Sequence, residues 1–130
     1  MTPTVVVGPV SRGSMLGALT AAALGVGFVE IRKDRGPATD SDRWILRTTG
    51  PDYQDRHVVF GFRHNLLKAG DRVLMVDDWA DTGATALVAR DLVHATGAHW
   101  IGAACIVDAL TNPHLRHNLP LRSLINIHRL

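Results

Sequence analysis

The chain has 130 residues, the size of one domain, and can bury a core without disulfide or metal staples. Its apolar fraction of 46% is that of an ordinary globular protein, and fourteen basic against twelve acidic residues leave a net charge of +2. A single cysteine excludes an internal disulfide, and so even a charge balance gives no footprint for nucleic acid.

No stretch approaches the roughly 20 apolar residues of a membrane span. The start, "MTPTVVVGPV", lacks the basic flank and long apolar run of a signal peptide. A cytoplasmic protein with neither a nucleic-acid nor a membrane partner is expected, folded as one domain over residues 1–130.

Thr4 to Val7 is a β-branched run ended by Gly8-Pro9, which predicts a buried strand entering a loop. Ser11 is placed to cap a helix running to Leu24, stopped by Gly25 and Gly27. Phe28 to Ile31 reads as a second short strand, completing a βαβ unit. Lys33 to Asp42 is polar, carries Gly36-Pro37 and reads as a mobile loop. Trp44 to Thr48 and His57 to Phe62 read as two strands joined by a turn-rich link. Arg72 to Val76 is a strongly apolar strand, Thr85 to Thr96 a helix stopped at Gly97, and Trp100 to Val107 another buried strand. Cys105, inside that strand, reads as inert core. "TNPHLRHNL" predicts a short helix and Leu121 to Ile127 a last short strand. Strands alternating with helices predict an α/β fold: a mostly parallel sheet flanked by helices. Ligands in such sheets bind beyond the carboxyl ends of the strands, where the loops Pro9 to Gly13 and Asp77 to Thr85 lie.

One stretch, "VLMVDDWADTGATA" from Val73 to Ala86, exceeds what an ordinary turn needs. It places an acidic pair, Asp77 and Asp78, directly after a buried strand. Asp81, Thr82, Gly83, Ala84 and Thr85 follow at a helix start. A sugar phosphate asks for those features. Its phosphate wants converging backbone N–H groups at a helix N-terminus, close approach at a glycine, and hydroxyl donors such as Thr82 and Thr85. Its ribose hydroxyls want acceptors, which Asp77 and Asp78 supply if the chain turns there and both reach the sugar.

The stretch resembles the phosphoribosyl-pyrophosphate signature of type I phosphoribosyltransferases. "VVVGPVSRGSMLGALTAAALGVGFVEIRK" resembles the adenine members of that family, from their pyrophosphate loop to a strand ending in a basic pair. The likeness covers Thr4 to about Asp108. It implies that Ser11, Arg12 and Gly13 line the pyrophosphate site and that Lys33 reaches it from the next strand. It implies phosphoribosyl transfer from phosphoribosyl pyrophosphate to a nucleobase, a purine, giving a nucleoside monophosphate and pyrophosphate. Mg²⁺ would be the cofactor, served indirectly by Asp77 and Asp78 through ribose or water. Arg12 and Lys33 would offset the leaving group's charge, and Asp81 would assist proton transfer at the base.

Two departures stand out. Val10 occupies the place before Ser-Arg-Gly where the adenine enzymes usually carry an acid. Family members also carry some forty residues before the first strand, including part of the hood over the base. The hood is therefore expected to be rebuilt from Trp44 to Phe62 or the C-terminal residues, or to be missing. Apolar surface near the first strand is expected to be covered in a homodimer. A regulatory module that binds phosphoribosyl pyrophosphate or a nucleotide without catalysis is the alternative, and a silent interaction domain completed by a partner is a third reading. Tyr53, Phe60 and Phe62 are candidates to stack on a base, with core packing favoured. Trp79 is placed beside the ligand or in packing with equal weight. The scattered histidines give no metal-site spacing.

Overall fold

The computed structural model describes residues 2–33, 43–49 and 58–130. Strand β1 (Val5–Pro9) leads into helix α1 (Arg12–Leu24) and strand β2 (Gly27–Ile31). A hairpin, β3 (Trp44–Thr48) and β4 (Val59–Arg63), follows. Then come β5 (Arg72–Ala80), α2 (Ala84–Ala95), β6 (His99–Asp108), α3 (Pro113–Asn118) and β7 (Leu121–Asn126). Among the described residues β1, β2, β5, β6 and β7 form one wholly parallel sheet in the order β2-β1-β5-β6-β7. The predicted α/β class is the observed one. Most of the predicted loop after Lys33, and Tyr53 and His57, lie outside the described residues.

The centre of the sheet is buried on both faces because its strand sequences are apolar at consecutive positions, whereas the edge strand β7 is largely exposed. Val5 and Val7 point to one face and Val6 to the other, and all three are buried. The larger core lies on the α2 side. It joins Val7, Val73 and Met75 to Leu92 and Val93 of α2, Phe62 of the hairpin, and Trp100. The smaller core lies under α1, where Val6, Ala21 and Val76 meet Leu16, Phe28 and Leu74. Gly25 ends α1 with φ 72°, a left-handed conformation suited to glycine. Ser11 stands at the helix start with helical φ and ψ, and its side chain accepts no capping bond. The cap read from the sequence is therefore absent: the hydroxyl is not aimed back at the first-turn amides.

The hairpin forms a separate antiparallel pair. It hangs from the end of β2, where Arg32 and Gly61 exchange two backbone hydrogen bonds of 2.9 and 2.8 Å. The surface argument for assembly also needs correction. The first strand is covered on both faces. Exposed large apolar residues occur on α1 (Met15, Leu19, Leu24) and along β7 (Leu124 and Ile125), among other places. No described helix is long and apolar enough to cross a membrane.

Candidate functional site

Strand order reverses between β1 and β5: the chain leaves β1 for β2 on one side and returns to build β5 on the other. The crevice beyond their carboxyl ends is where open parallel sheets hold ligands. A cavity of about 230 Å³ opens there. Ser11 and Arg12 enter it from the β1–α1 loop, Lys33 from the end of β2, Asp77 and Asp78 from β5, and Thr85 from α2. Residues from four separate elements thus converge as the sequence reading requires. A second cavity of about 140 Å³ adjoins it and shares Asp77 and Thr85. Trp79, Asp81, Thr82, Gly83 and Ala84 line this one.

Gly13 is buried and lines neither cavity. A Cβ at that position would stand 2.7 Å from Pro9 Cδ and 2.9 Å from Asp77 Oδ1. Its reason for being glycine is room for the Asp77 carboxylate against the first turn of α1.

Strand β5 continues to Ala80, four residues past its predicted end, because its pairing with the long β6 carries on to Asp108. The acidic pair therefore sits in extended backbone and not in a turn. Its two side chains leave in different directions, yet both border the first cavity. Asp77 Oδ1 accepts a 2.8 Å bond from the Asp78 amide. Burial raises the Asp77 carboxyl to about 7, helped by the neighbouring Asp78 and opposed by that backbone bond and Arg12. Asp78 pairs with Arg12 at 3.0 Å (Nε to Oδ2), on a side chain that is 79% exposed in Arg12.

The phosphate loop departs from its predicted construction in two ways. Gly83 has φ 83°, which an L side chain resists. A Cβ there would also meet Leu115 Cδ1 at 2.8 Å. The glycine is thus required by backbone and packing. Helix α2 begins at Ala84, one residue before its predicted start, and the Ala84 amide donates to Thr82 Oγ1 at 3.2 Å, just before the Gly83 N-cap. The Asp81 side chain is exposed and takes no hydrogen bond among the described residues. The remaining first-turn amides have no helical carbonyl to bond and face the sheet's carboxyl end.

Phe60 is 3% exposed and belongs to the core, yet it also forms a wall of the first cavity. Phe62 is core alone in this respect. Trp79 is 48% exposed on the second cavity's rim. Cys105 is buried, and burial pushes its thiol up to about 11, which fits an inert residue. Sequence reasoning missed Asp108. It is 1% exposed and receives a two-pronged contact from Arg116, Nε to Oδ2 at 2.5 Å and Nη2 to Oδ1 at 3.2 Å. Arg116 holds its carboxyl below the usual range. The signal was present: an acid closing a buried apolar strand is the same pattern that singled out Asp77.

For a divalent cation the chain offers two adjacent carboxylates, and no group of three or more ligating side chains occurs among the described residues. That set is too small for a protein-enclosed metal. It fits Mg²⁺, which keeps several waters and shares substrate oxygens.

A parallel sheet whose carboxyl edge joins two acids, two cations and a glycine-hinged helix N-terminus carries the groups that a phosphorylated sugar asks for. Over residues 1–127 the chain matches the phosphoribosyl transferase domain, and it belongs to that family. Adenine phosphoribosyltransferase of Nitrosospira multiformis is 38% identical over 104 residues, 79% of this chain and 56% of that protein. The chain thus spans little more than half the length of that curated relative. The crystal structure of adenine phosphoribosyltransferase from Thermoanaerobacter pseudethanolicus superposes with a TM-score of 0.85 at 26% identity, covering 97% of this chain and 72% of that one. The enzyme from Giardia lamblia, complexed with 9-deazaadenine, gives 0.83 at 30% identity, covering 98% and 72%.

Proposed function

We propose that the chain transfers a phosphoribosyl group from phosphoribosyl pyrophosphate to a purine base, releasing pyrophosphate. The observation that carries this reading is the first cavity, which gathers Ser11, Arg12, Lys33, Asp77, Asp78 and Thr85 beside the Gly83–α2 helix start. The names of the relatives make adenine the first base to test.

In this reading the first-turn amides of α2 and the Thr82 and Thr85 hydroxyls hold the 5′-phosphate. Asp77 and Asp78 accept from the ribose hydroxyls and orient the sugar. A ring nitrogen of the base bonds to C1′ as the bond from C1′ to the pyrophosphate oxygen breaks, and that electron pair leaves with pyrophosphate. Arg12 and Lys33 stabilise the charge that grows there. Asp77 and Asp78 would hold Mg²⁺ indirectly, through ribose or water, and the ion would supply further neutralisation of charge on the leaving group. Asp81 faces the base and takes its proton, since a carboxylate aimed at the phosphate would be repelled.

We place the protein in the cytoplasm and extend the reading to a homodimer. The exposed Met15, Leu19 and Leu24 lie on a helix that has no charged residue after Arg12. Light scattering at micromolar concentration that finds only the monomer rules out the dimer. Catalysis is tested by pyrophosphate release from phosphoribosyl pyrophosphate and Mg²⁺ against a panel of bases. Release with adenine and none with pyrimidines is expected. Tight binding of the sugar substrate with no turnover on any base would replace the transferase by the regulatory alternative.

A further inference from the structure

The loop that carries Asp81, Thr82 and Gly83 is not held by its own hydrogen bonds alone. The segment that follows β6 lies flush against its back. The Ala109 amide donates to the Ala80 carbonyl at 2.8 Å, and the Thr111 amide to the Asp81 carbonyl at 3.4 Å. Leu115 and the buried Leu110 fill the space where a side chain on Gly83 would stand. That segment is itself anchored at both ends. Asp108, fully buried at the last position of β6, accepts from the Leu110 amide at 3.0 Å and from both prongs of Arg116 on α3. His128 Nε2 meets the Leu110 carbonyl at 3.0 Å from the C-terminal turn.

A buried carboxylate without its partner is costly, so the Asp108–Arg116 pair fixes where α3 can sit. α3 is only six residues long and has no buried residue of its own. Its N-terminal half is placed by that ion pair and by Leu115, which stands one residue before Arg116, and its end by the Arg90 side chain on the Asn118 carbonyl at 3.1 Å and by the buried Leu119, whose carbonyl accepts from Trp100 Nε1 at 3.1 Å. Moving Arg116 moves Leu115, and moving Leu115 opens space behind a glycine that already holds φ 83°.

We infer that the segment from Asp108 to Arg116 is a brace that keeps the Asp81–Gly83 loop in the shape that receives a sugar phosphate, with Arg116 and Leu115 as positioning residues. The ligand half of this statement rests on the function proposed above. The brace itself does not, because loop order is measurable without ligand.

The test compares the full chain with Arg116→Ala, Arg116→Lys and Leu115→Ala. Amide hydrogen exchange is followed without ligand, and ribose 5-phosphate affinity is measured by calorimetry. Arg116→Ala and Leu115→Ala are expected to speed exchange about tenfold, the scale of one lost charge-assisted bond, at Ala84, Leu87, Ala109 and Thr111, whose amides are bonded within or onto the loop, while β1 and β5 amides keep their protection. The dissociation constant for ribose 5-phosphate rises by about the same factor. Arg116→Lys, which keeps the charge but not the fork, recovers part of both effects. Should Arg116→Ala fail to fold, Leu115→Ala decides, since it leaves the ion pair intact. Unchanged exchange at Ala84, Leu87, Ala109 and Thr111 in the folded variants overturns the brace. Equal acceleration at every amide also overturns it, because that is a loss of global stability. If the unaltered chain does not bind ribose 5-phosphate, the sugar-phosphate reading fails while the exchange data still decide the brace.

Discussion

The two halves of the site are built differently. The loop from Asp81 to Thr85 is backed by Leu110 and Leu115 and tied by backbone bonds to the next crossover. The half formed by Arg12 and Lys33 is open. Arg12 is 79% exposed and its guanidinium rests on Asp78, a group expected to meet the sugar. One half is organised before ligand arrives, by a buried ion pair and a backbone angle that glycine adopts without strain. The other must exchange an internal ion pair for the ligand's charge. Solvent screening makes that exchange inexpensive, because an exposed ion pair contributes little to stability. Binding affinity for the sugar phosphate should therefore come from the braced half, and charge stabilisation during reaction from the open half.

The sharpest way to break this contrast is Arg12→Ala. Turnover is expected to fall by about 10²–10³-fold, as when one charge-stabilising group is removed. Affinity for a nucleoside monophosphate and the unfolding midpoint should stay close to those of the unaltered chain. Equal losses for monophosphate and phosphoribosyl pyrophosphate, measured by calorimetry, would put Arg12 in the phosphate half instead.

Asp81→Asn sharpens the role of the exposed acid between the halves. Turnover should drop by about 10²-fold with sugar-phosphate affinity and thermal midpoint retained, the signature of lost proton transfer. Since Thr82 already serves the Ala84 amide, little stability is at stake. Normal kcat in this variant would remove Asp81 from the chemistry.

Gly83→Ala attacks the braced half directly. A side chain at φ 83° that also collides with Leu115 should cost about 1–3 kcal/mol in urea unfolding. Leu115→Ala in the same chain should recover part of the loss. A change within about 0.5 kcal/mol, the range of an unremarkable surface substitution, would mean that the loop relaxes freely.

The smallest effect concerns pH. Asp77 rises from 3.8 to about 7 on folding, chiefly through burial, so the folded state favours its protonated form. That contribution to stability is fully present below pH 3.8 and is lost as pH rises through about 7. Asp77→Asn should therefore flatten the decline in thermal midpoint across that window and leave the variant relatively more stable at pH 8. Parallel pH profiles for the two proteins would show that Asp77 does not titrate there.

Much of the fold was legible because its strands are short apolar runs separated by turn residues. Val5 to Val7 and Arg72 to Val76 announce buried parallel strands, and Gly25 and Gly97 mark helix ends. The loop from Asp81 to Thr85 stood out as a candidate phosphate loop for a related reason: its residues are contiguous, so their chemistry is visible as a string. Strand ends were less so. The continuation of β5 through Asp77 and Asp78 depends on how far β6 runs beside it, and no local preference encodes that length. The absent Ser11 cap depends on the backbone angle at which β1 delivers the chain to α1.

By itself the sequence determined the parallel α/β plan, the acidic pair and the glycine-hinged helix start, because hydrophobic periodicity and turn chemistry act over a few residues. Only the tertiary structure decided which residues meet. Arg12 reaches Asp78 across the β1–β5 pairing set by sheet order, and Arg116 folds back from α3 onto Asp108 at the end of β6. It also decided why Gly83 must be glycine: the space behind it is filled by Leu115, thirty-two positions along the chain. Such contacts follow from the packing of distant segments at one sheet edge, and a linear pattern does not contain them.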